Sequence, residues 1–248
     1  MSKKLVIIPT YNEKENVEQM IDTVMNLPLN TDLLIIDDNS PDGTASLVKA
    51  AQAKYPGRLH LLEREGKLGL GTAYIAGFKY ALANDYDYIF EMDCDFSHNP
   101  DDLQRLYDEC AVNGADVAVG SRYKSGVNVV NWPMGRVLMS YFASKYVRIV
   151  TGMPINDTTA GFVCYKAEVL RAFNLDKIRF KGYAFQIEMK FTAHKMDFKV
   201  AEVPIVFTNR VLGTSKMSGS IFGEAFFGVI SMKLRSIFKK YERNNSNS

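Results

Sequence analysis

Two pairs of aspartates follow apolar runs in this chain, and their spacing suggests chemistry. Asp37 and Asp38 close the run in IIDDNSPDGT, and Asp93 and Asp95 follow the run in MDCDFSHNP. Carboxylates this close raise each other's pKa unless a cation is present. Oxygen ligands with open positions suit Mg²⁺ or Mn²⁺, which keep waters and bind a substrate diphosphate. The hypothesis is that one pair holds a metal ion and the other contacts a nucleotide; the alternative is that all four are helix caps and loop carboxylates.

Strands and helices alternate in the first half of the chain and must position these carboxylates. Apolar runs typical of buried parallel strands lie at 5–8, 33–36, 59–62, 88–92 and 117–119. Helical patterns lie between them, at about 13–27, 44–54, 72–84 and 101–113. We therefore predict an α/β fold with a single doubly wound, mostly parallel sheet flanked by helices. In such sheets ligands bind beyond the carboxyl ends of the strands, where the aspartates lie.

The second half of the chain is less regular. Helices are predicted at 133–151 and 185–194, and strands near 163–165 and within FKVAEVPIVF. A final helical stretch, from about 220 to 241, combines apolar side chains at helical spacing with basic residues around its later part. This pattern is typical of an amphipathic helix at a membrane surface, although a helix packed on the core gives the same pattern. We expect a catalytic domain at 1–219 and, at 220–248, this helix and a polar tail.

Composition excludes several classes of protein. The chain is 47% hydrophobic and has a net charge of +2, so it has no global attraction to nucleic acid. Pro9 interrupts the apolar run at the N-terminus, and no run reaches the roughly 18 apolar residues of a membrane span. Three widely spaced cysteines predict neither a disulfide framework nor a zinc site. These features predict a protein that is soluble or peripheral to a membrane, in a reducing compartment.

Other ligand-binding motifs fail on their details. An EF-hand loop needs Asp or Asn and then glycine at the places where this chain has Ser97 and His98. The GLGTAY segment lacks the third glycine of a dinucleotide fingerprint, because Tyr74 occupies that position. The sequence contains no phosphate-binding loop of the GxxxxGKS/T type. A sugar-nucleotide pyrophosphorylase would carry a glycine-rich basic loop where this chain has PTYNE.

Seven segments of the chain resemble, in order, the motifs of inverting GT-A glycosyltransferases of family 2. They are IIPTYNEKEN, IDDNSPDGT, KLGLGTAY, DCDFSHNP, GSRY, DTTAGF and NRVLGTSK, which extend from about residue 5 to residue 218. The dolichyl- or polyprenyl-phosphate mannosyltransferases are the most similar members. The resemblance implies transfer of a hexose, most often mannose from GDP-mannose, to a polyprenyl phosphate, with inversion and with Mg²⁺ or Mn²⁺. It also implies a cytoplasmic protein, peripheral at the cytoplasmic face of a membrane.

The same resemblance assigns residues to the donor side. It places seven in the nucleotide-sugar site: Pro9, Tyr11, Glu13, Asp37, Asp38, Lys67 and Asp93. Asp93 and Asp95 match the DxD metal pair, and Ser97 stands where some members place a third metal ligand, a glutamine. The segment from Lys67 to Gly71 matches the mannose enzymes, which favours mannose over glucose.

The acceptor needs cations around it, because a phosphate monoester carries close to two negative charges at neutral pH. Guanidinium groups suit it, since they donate two hydrogen bonds in one plane. The resemblance places six residues at this phosphate: Arg122, Arg136, Ser140, Asp157, Arg210 and Lys216. The nucleophile is already deprotonated, so no general base is needed. The implied catalytic residues are Asp95, Arg122 and Arg136, which stabilise the leaving diphosphate and hold two anions face to face.

Three other functions stay open on the sequence. One is a polyprenyl-phosphate glucosyltransferase that uses UDP-glucose, and another is a transferase with a soluble acceptor. The third is a non-catalytic subunit of a membrane glycosylation complex, against which the intact DxD pair and the arginines argue.

Overall fold

Nine strands and eight α-helices form in the parts of the chain that the computed structural model describes, residues 2–182, 184–210, 221–238 and 241. The strands are β1 (Lys4–Thr10), β2 (Asp32–Asp37), β3 (Leu59–Glu63), β4 (Tyr88–Glu91), β5 (Val117–Ser121), β6 (Val129–Val130), β7 (Val163–Lys166), β8 (Val200–Pro204) and β9 (Phe207–Thr208). The helices are α1 (Val17–Met25), α2 (Thr44–Gln52), α3 (Leu70–Ala83), α4 (Asp102–Ala111), α5 (Met134–Thr151), α6 (Ala167–Ala172), α7 (Ala184–Lys195) and α8 (Ile221–Phe238), with a 3-10 helix at Leu175–Lys177.

Seven strands form one sheet in the order β3-β2-β1-β4-β7-β5-β8, which confirms the predicted α/β fold with a mostly parallel sheet. Every neighbouring pair is parallel except the two that β7 makes with β4 and β5. β7 begins directly after a loop at the carboxyl edge of the sheet, so it runs back in the opposite direction. The sequence predicts this strand but not its direction, nor the short helix α6 that follows it.

Alternate residues of the central strands pack into two hydrophobic layers, one on each face of the sheet. Val6 and Ile8 of β1 belong to the layer that contains α1, α2 and α4, whereas Leu5 and Ile7 belong to the layer that contains α3, α6 and α7. Residues 184–193 of α7 are buried throughout. This helix therefore lies in the interior of the molecule, and its first turn contributes Gln186 to the cavity described below.

A two-stranded parallel ribbon, β6 with β9, lies beside the carboxyl edge. The Thr208 N–H donates to the Ser97 carbonyl at 3.1 Å, and the Asn209 N–H donates to the Val130 carbonyl at 3.0 Å. These bonds bring Arg210, which follows the ribbon, back to the aspartates that follow β4.

Helix α8 lies within the predicted final helical stretch and packs against α5 and α7. Val229 and Met232 point into a third apolar cluster shared with those helices. The predicted domain boundary at 219 and the polar tail fall outside the described residues. None of the described helices has the length and apolar character that a bilayer span requires.

Candidate active site

A cavity of about 540 Å³ opens at the carboxyl edge of the sheet. Its walls come from the carboxyl ends of β1, β2, β4 and β5, from the starts of α3, α5 and α7, from the loop before β7 and from the segment around β9. Eleven residues predicted to bind donor, metal or acceptor line it: Pro9, Tyr11, Glu13, Asp38, Lys67, Asp93, Asp95, Ser97, Arg122, Arg136 and Arg210. The edge therefore collects acidic and basic side chains in one volume.

Asp93 and Asp95 form the acidic side of the cavity. The Ser97 N–H donates to Asp95 Oδ1 at 3.0 Å, and Arg210 Nη2 lies 2.8 Å from Asp95 Oδ2. Burial and the negative charge of Asp95 raise the pKa of Asp93 to about 7. The Asp93 side chain keeps 42% of its surface accessible to solvent. We therefore attribute the raised pKa of Asp93 mainly to the negative charge of Asp95.

Three features of the acidic side fit a divalent cation. Both side chains supply oxygen, the ligand that hard cations prefer, and the repulsion that raises the pKa of Asp93 is one that a cation relieves. Asp95 already binds a cationic group, the Arg210 guanidinium. Within the described residues, no three or more His, Cys, Asp or Glu side chains surround a metal position. Two carboxylates leave positions open for diphosphate oxygens and water.

His98 lies beside the acidic side but does not neutralise it. Its Nδ1 is 3.9 Å from Asp93 Oδ2, and its ring stacks on Phe162 with the centroids 4.8 Å apart. Burial lowers the pKa of His98 to about 4, so the imidazole is neutral at physiological pH. The positive charge nearest this acidic side therefore comes from the Arg210 guanidinium and not from His98.

Arg122 is held on the basic side of the cavity by Asp157. The Asp157 carboxylate accepts hydrogen bonds from the backbone N–H, Nε and Nη2 of Arg122, at 2.9, 2.6 and 2.6 Å. Burial alone would raise the pKa of this carboxyl, but the Arg122 guanidinium holds the pKa below its usual range. Thr159 Oγ1 accepts a further hydrogen bond from Nη2 at 2.9 Å. The guanidinium is therefore fixed before any ligand binds.

Trp132 contacts both arginines of the basic side. Its ring centre is 5.6 Å from the guanidinium carbon of Arg122 and 4.0 Å from that of Arg136. Arg136 Nη1 donates to Asn209 Oδ1 at 3.1 Å, and Phe207 packs edge-on against the indole. Because the face of an aromatic ring attracts cations, the indole offsets part of the repulsion between the two guanidinium groups.

A second polar region surrounds Asp38 and Tyr11. Asp38 accepts hydrogen bonds from Arg64 Nε and Nη2 at 2.6 and 2.7 Å, and Arg64 Nη1 donates to Thr72 Oγ1 at 2.8 Å. Lys67 Nζ lies 5.1 Å from the centre of the Tyr11 ring. Arg64, which has no motif signal in the sequence, therefore sets the orientation of a carboxylate that was predicted for the nucleotide site.

Comparisons with known proteins show the family of this chain. The model of the family described as Glycosyl transferase family 2 matches residues 5–173. The chain belongs to this family. It is 45% identical over 233 residues to polyprenol monophosphomannose synthase of Mycolicibacterium smegmatis, across 94% of this chain and 88% of the relative. It is also 45% identical over 225 residues to undecaprenyl-phosphate mannosyltransferase of Micrococcus luteus, across 91% of each chain. The family resemblance seen in the motifs is confirmed, and the chain is an enzyme.

Solved structures share the fold of this family 2 glycosyltransferase. The crystal structure of glucosyl-3-phosphoglycerate synthase from Mycobacterium tuberculosis with Mn²⁺, UDP and glucosyl-3-phosphoglycerate has a TM-score of 0.66, with 95% of this chain and 80% of that chain covered. The structure of that enzyme with Mn²⁺ and UDP-glucose has a TM-score of 0.67, with 95% and 79% covered. Sequence identities of 19% and 18% limit this likeness to the fold, which confirms the predicted GT-A architecture.

Two aspartates predicted to contact substrates in this glycosyltransferase do not line the cavity. Asp37 is fully buried, and it accepts hydrogen bonds from Thr10 Oγ1 at 2.9 Å and from the Ser40 N–H at 2.8 Å. Its carboxylate therefore stabilises the turn after β2, whereas its neighbour Asp38 faces the cavity. Asp157 is also fully buried, and it acts on the cavity through Arg122.

Two further predicted residues are not placed at the cavity. Ser140 lies on α5, one turn after Arg136, and is not among the residues that line the cavity. Lys216 lies outside the described residues. Ser97 does line the cavity, but its recorded contact with the acidic pair is the backbone N–H that donates to Asp95.

The glycines that favour mannose in the sequence have structural causes in this glycosyltransferase. Gly69 has a φ of +104°, a conformation that L side chains rarely adopt. A Cβ on Gly71 would lie 2.7 Å from the Phe185 ring and 2.8 Å from the Phe180 carbonyl oxygen. Because backbone conformation and packing explain Gly69 and Gly71, Lys67 is the matched residue of this segment that remains as an indication of the donor sugar.

The lining residues that the sequence interpretation misses include Trp132, Thr159, Lys181 and Gln186. Thr159 belongs to the recognised motif DTTAGF, and Trp132 lies four residues before the predicted Arg136, so both are close in sequence to residues that were predicted. Gln186 has no motif signal. Its position at the cavity is visible only in the structure, where α7 is buried on all sides and Gln186, near the start of this helix, lines the cavity.

Proposed function

We propose that this family 2 glycosyltransferase transfers a mannosyl group from GDP-mannose to the phosphate of a polyprenyl phosphate, with inversion at the anomeric carbon. The observation that carries the proposal is a single cavity with an acidic side at Asp93 and Asp95 and a basic side at Arg122 and Arg136. Both substrates of the transfer are anionic, so the cavity needs a basic side for the acceptor phosphate and an acidic side that can hold a metal ion for the donor diphosphate. The names of the two relatives at 45% identity, a polyprenol monophosphomannose synthase and an undecaprenyl-phosphate mannosyltransferase, support the choice of sugar and acceptor.

Arg122 and Arg136 bind the acceptor phosphate in this proposal. The second pKa of a phosphate monoester is about 6, so the nucleophile reaches the cavity as a dianion and no protein base has to remove a proton. The hydrogen bonds from Arg122 to Asp157 fix the guanidinium, which then orients the phosphate for attack on the anomeric carbon. Planar guanidinium groups suit this role better than lysine.

Asp93 and Asp95 would hold Mg²⁺ or Mn²⁺ together with the diphosphate of the donor. When bound, the ion offsets the negative charge that develops on the departing nucleoside diphosphate. The Mn²⁺ in the glucosyl-3-phosphoglycerate synthase structures supports a divalent ion in this fold. Asp38, oriented by Arg64, and Tyr11 with Lys67 are the groups available to the nucleotide.

Peripheral contact with the cytoplasmic face of a membrane is part of the proposal, because a polyprenyl phosphate is anchored in lipid. Phe227 and Phe238 on the outer face of α8 are 71% and 89% exposed. Helix α5, which packs on α8, exposes a further set of apolar side chains: Met134, Leu138, Met139, Phe142 and Ile149. Exposed apolar side chains on two adjacent helices support binding at a lipid interface. Residues 1–219 then form the catalytic domain, and the segment from 220 adds to the membrane surface.

Transfer by the purified chain tests the proposal. The chain is incubated with polyprenyl phosphate, with GDP-mannose or UDP-glucose, and with Mg²⁺, Mn²⁺ or EDTA, and labelled lipid is extracted. We expect mannosyl lipid from GDP-mannose with metal, and none with EDTA. Asp95→Asn should abolish the product, whereas Asp101→Asn, an exposed carboxylate just before α4, should keep it.

Two results would contradict the proposal. Glucosyl lipid formed from UDP-glucose, with GDP-mannose unused, would replace mannose by glucose. Absence of product from every donor and metal, with a folded chain and intact polyprenyl phosphate, would indicate a subunit without activity of its own.

A further inference from the structure

Lys190, in the middle of α7, is a fully buried cation that no step of the proposed reaction uses. Its Nζ donates to the Ala160 carbonyl at 2.6 Å, to the Gln186 carbonyl at 3.1 Å and to Gln186 Oε1 at 3.3 Å. A lysine ammonium has three donor hydrogens, so each hydrogen has an acceptor. This is the arrangement that makes burial of a charge tolerable.

Both residues that accept these bonds line the cavity. The Gln186 amide is held at its two ends, because Nε2 donates to Glu91 Oε2 while Oε1 accepts from Lys190. Ala160 belongs to the 157–161 segment, which also carries the two groups that bind Arg122, the Asp157 carboxylate and the Thr159 hydroxyl. Lys190 therefore contacts both Gln186, which lines the cavity, and the 157–161 segment, which fixes the Arg122 guanidinium.

Stability alone does not account for this lysine. Burial lowers the pKa of Lys190, so keeping this ammonium charged inside the protein costs free energy of folding. An apolar side chain of similar volume at this position would avoid that cost. A buried charge with three directed hydrogen bonds is better explained by what it positions.

We propose that Lys190 is a positioning residue for the transfer reaction. Its ammonium fixes the Ala160 carbonyl and the Gln186 amide, and through the 157–161 segment it fixes the guanidinium of Arg122. The inference rests on the proposed function for the identity of the substrates, but the geometry of Arg122 can be measured without them.

The first test compares Lys190→Met with Phe191→Leu. Phe191 is the next residue, is equally buried and packs into the cluster shared with α8, so its truncation loosens the same helix away from the cavity. We expect Lys190→Met to lower kcat/KM by about 100-fold, the effect of a displacement of about 1 Å at a reacting group. GDP binding, at the other end of the cavity, should change less than threefold in both variants, and Phe191→Leu should keep its turnover at equal loss of Tm. Equal turnover in the two variants would overturn the proposal.

Two further measurements separate positioning from folding. Glu91→Leu/Lys190→Met also removes the buried carboxyl whose charge acts on Lys190, so part of the lost Tm should return while turnover stays low; recovery of turnover as well would overturn the proposal. In an Arg122→Lys background, Lys190→Met should cost less than about tenfold, because two residues that act through one group are not additive. Full additivity would show that Lys190 does not act through Arg122.

A readout without substrates distinguishes failure of this inference from failure of the proposed function. The Arg122 Nε–H, locked to Asp157, should give a sharp, protected NMR signal in the wild type and in Phe191→Leu. The signal should broaden or exchange rapidly in Lys190→Met. An unchanged signal in that variant would contradict the inference even if the wild type transferred a different sugar.

Discussion

Replacement of Asp157 by asparagine removes one buried negative charge and leaves the shape of the side chain. The carboxylate accepts three hydrogen bonds from Arg122 and has no exposed surface. An asparagine in the same place presents one oxygen and one amino group, so at least one of the three donors meets another donor. The Arg122 guanidinium then lies in a buried position without its counter-charge, and it is free to turn toward the cavity or away from it.

The expected loss of stability follows from this burial. Breaking a buried ion pair by removing one partner costs about 3–5 kcal/mol, and the lower value applies here because volume is conserved. For a domain of this size, about 3 kcal/mol lowers Tm by about 6–12 °C. Asp157 has a depressed pKa in the folded state, so its contribution is present above the unfolded value of about 3.9 and is lost as pH falls through the folded value. The variant should therefore lose less stability on acidification than the wild type.

Calorimetry and transfer kinetics check both parts. We expect the Tm difference at pH 7 to shrink toward pH 3, and kcat/KM for polyprenyl phosphate to fall by about 100-fold. Asp116→Asn is the matched control, because Asp116 pairs with Lys166 at 3.3 Å near the start of β5, at the opposite edge of the sheet. That partly exposed pair should be worth about 1 kcal/mol or less, with full activity. A wild-type Tm and turnover in Asp157→Asn would refute the role given to the Arg122 pair.

Three further predictions concern the cavity and the outer helices. Because the pKa of Asp93 is raised to about 7, protons compete with the metal, and Mn²⁺ affinity measured by calorimetry should fall as pH drops from 8 to 6; a flat profile would contradict this. Arg136→Lys should raise KM for polyprenyl phosphate about tenfold through loss of the planar donor pair, whereas Arg171→Lys on the exposed side of α6 should not change it. Phe227→Ser should weaken binding to anionic vesicles by about tenfold or more, while Val112→Ser, equally exposed after α4, should leave vesicle flotation unchanged; equal loss in both would contradict a specific surface.

The fold was predictable because its signals are local. Four consecutive apolar residues in β1 and in β2 are all buried, and this is what a central parallel strand requires. The direction of β7 was not predictable, since a short apolar run has the same composition in either direction. Its orientation follows from the position of the preceding loop, which is a property of the whole sheet.

The candidate site was predictable where each residue follows a strand end, and less so elsewhere. Asp38, Asp93 and Asp95 line the cavity as expected. The sequence cannot tell which of two adjacent aspartates faces the cavity and which is buried in the protein, and here Asp37 is the buried one. Gln186 and Lys190 escape notice because a buried helix has no amphipathic pattern that marks its polar residues. Their roles emerge only from contacts between distant parts of the chain.

A crystal structure of the chain with Mn²⁺ and GDP, recorded at the manganese absorption edge, tests the central claim most directly. The account predicts one anomalous peak within about 2.0–2.3 Å of a carboxylate oxygen of Asp95 or Asp93, also bonded to the diphosphate of GDP. Manganese bound away from both aspartates, or a diphosphate seated elsewhere in the molecule, would contradict it.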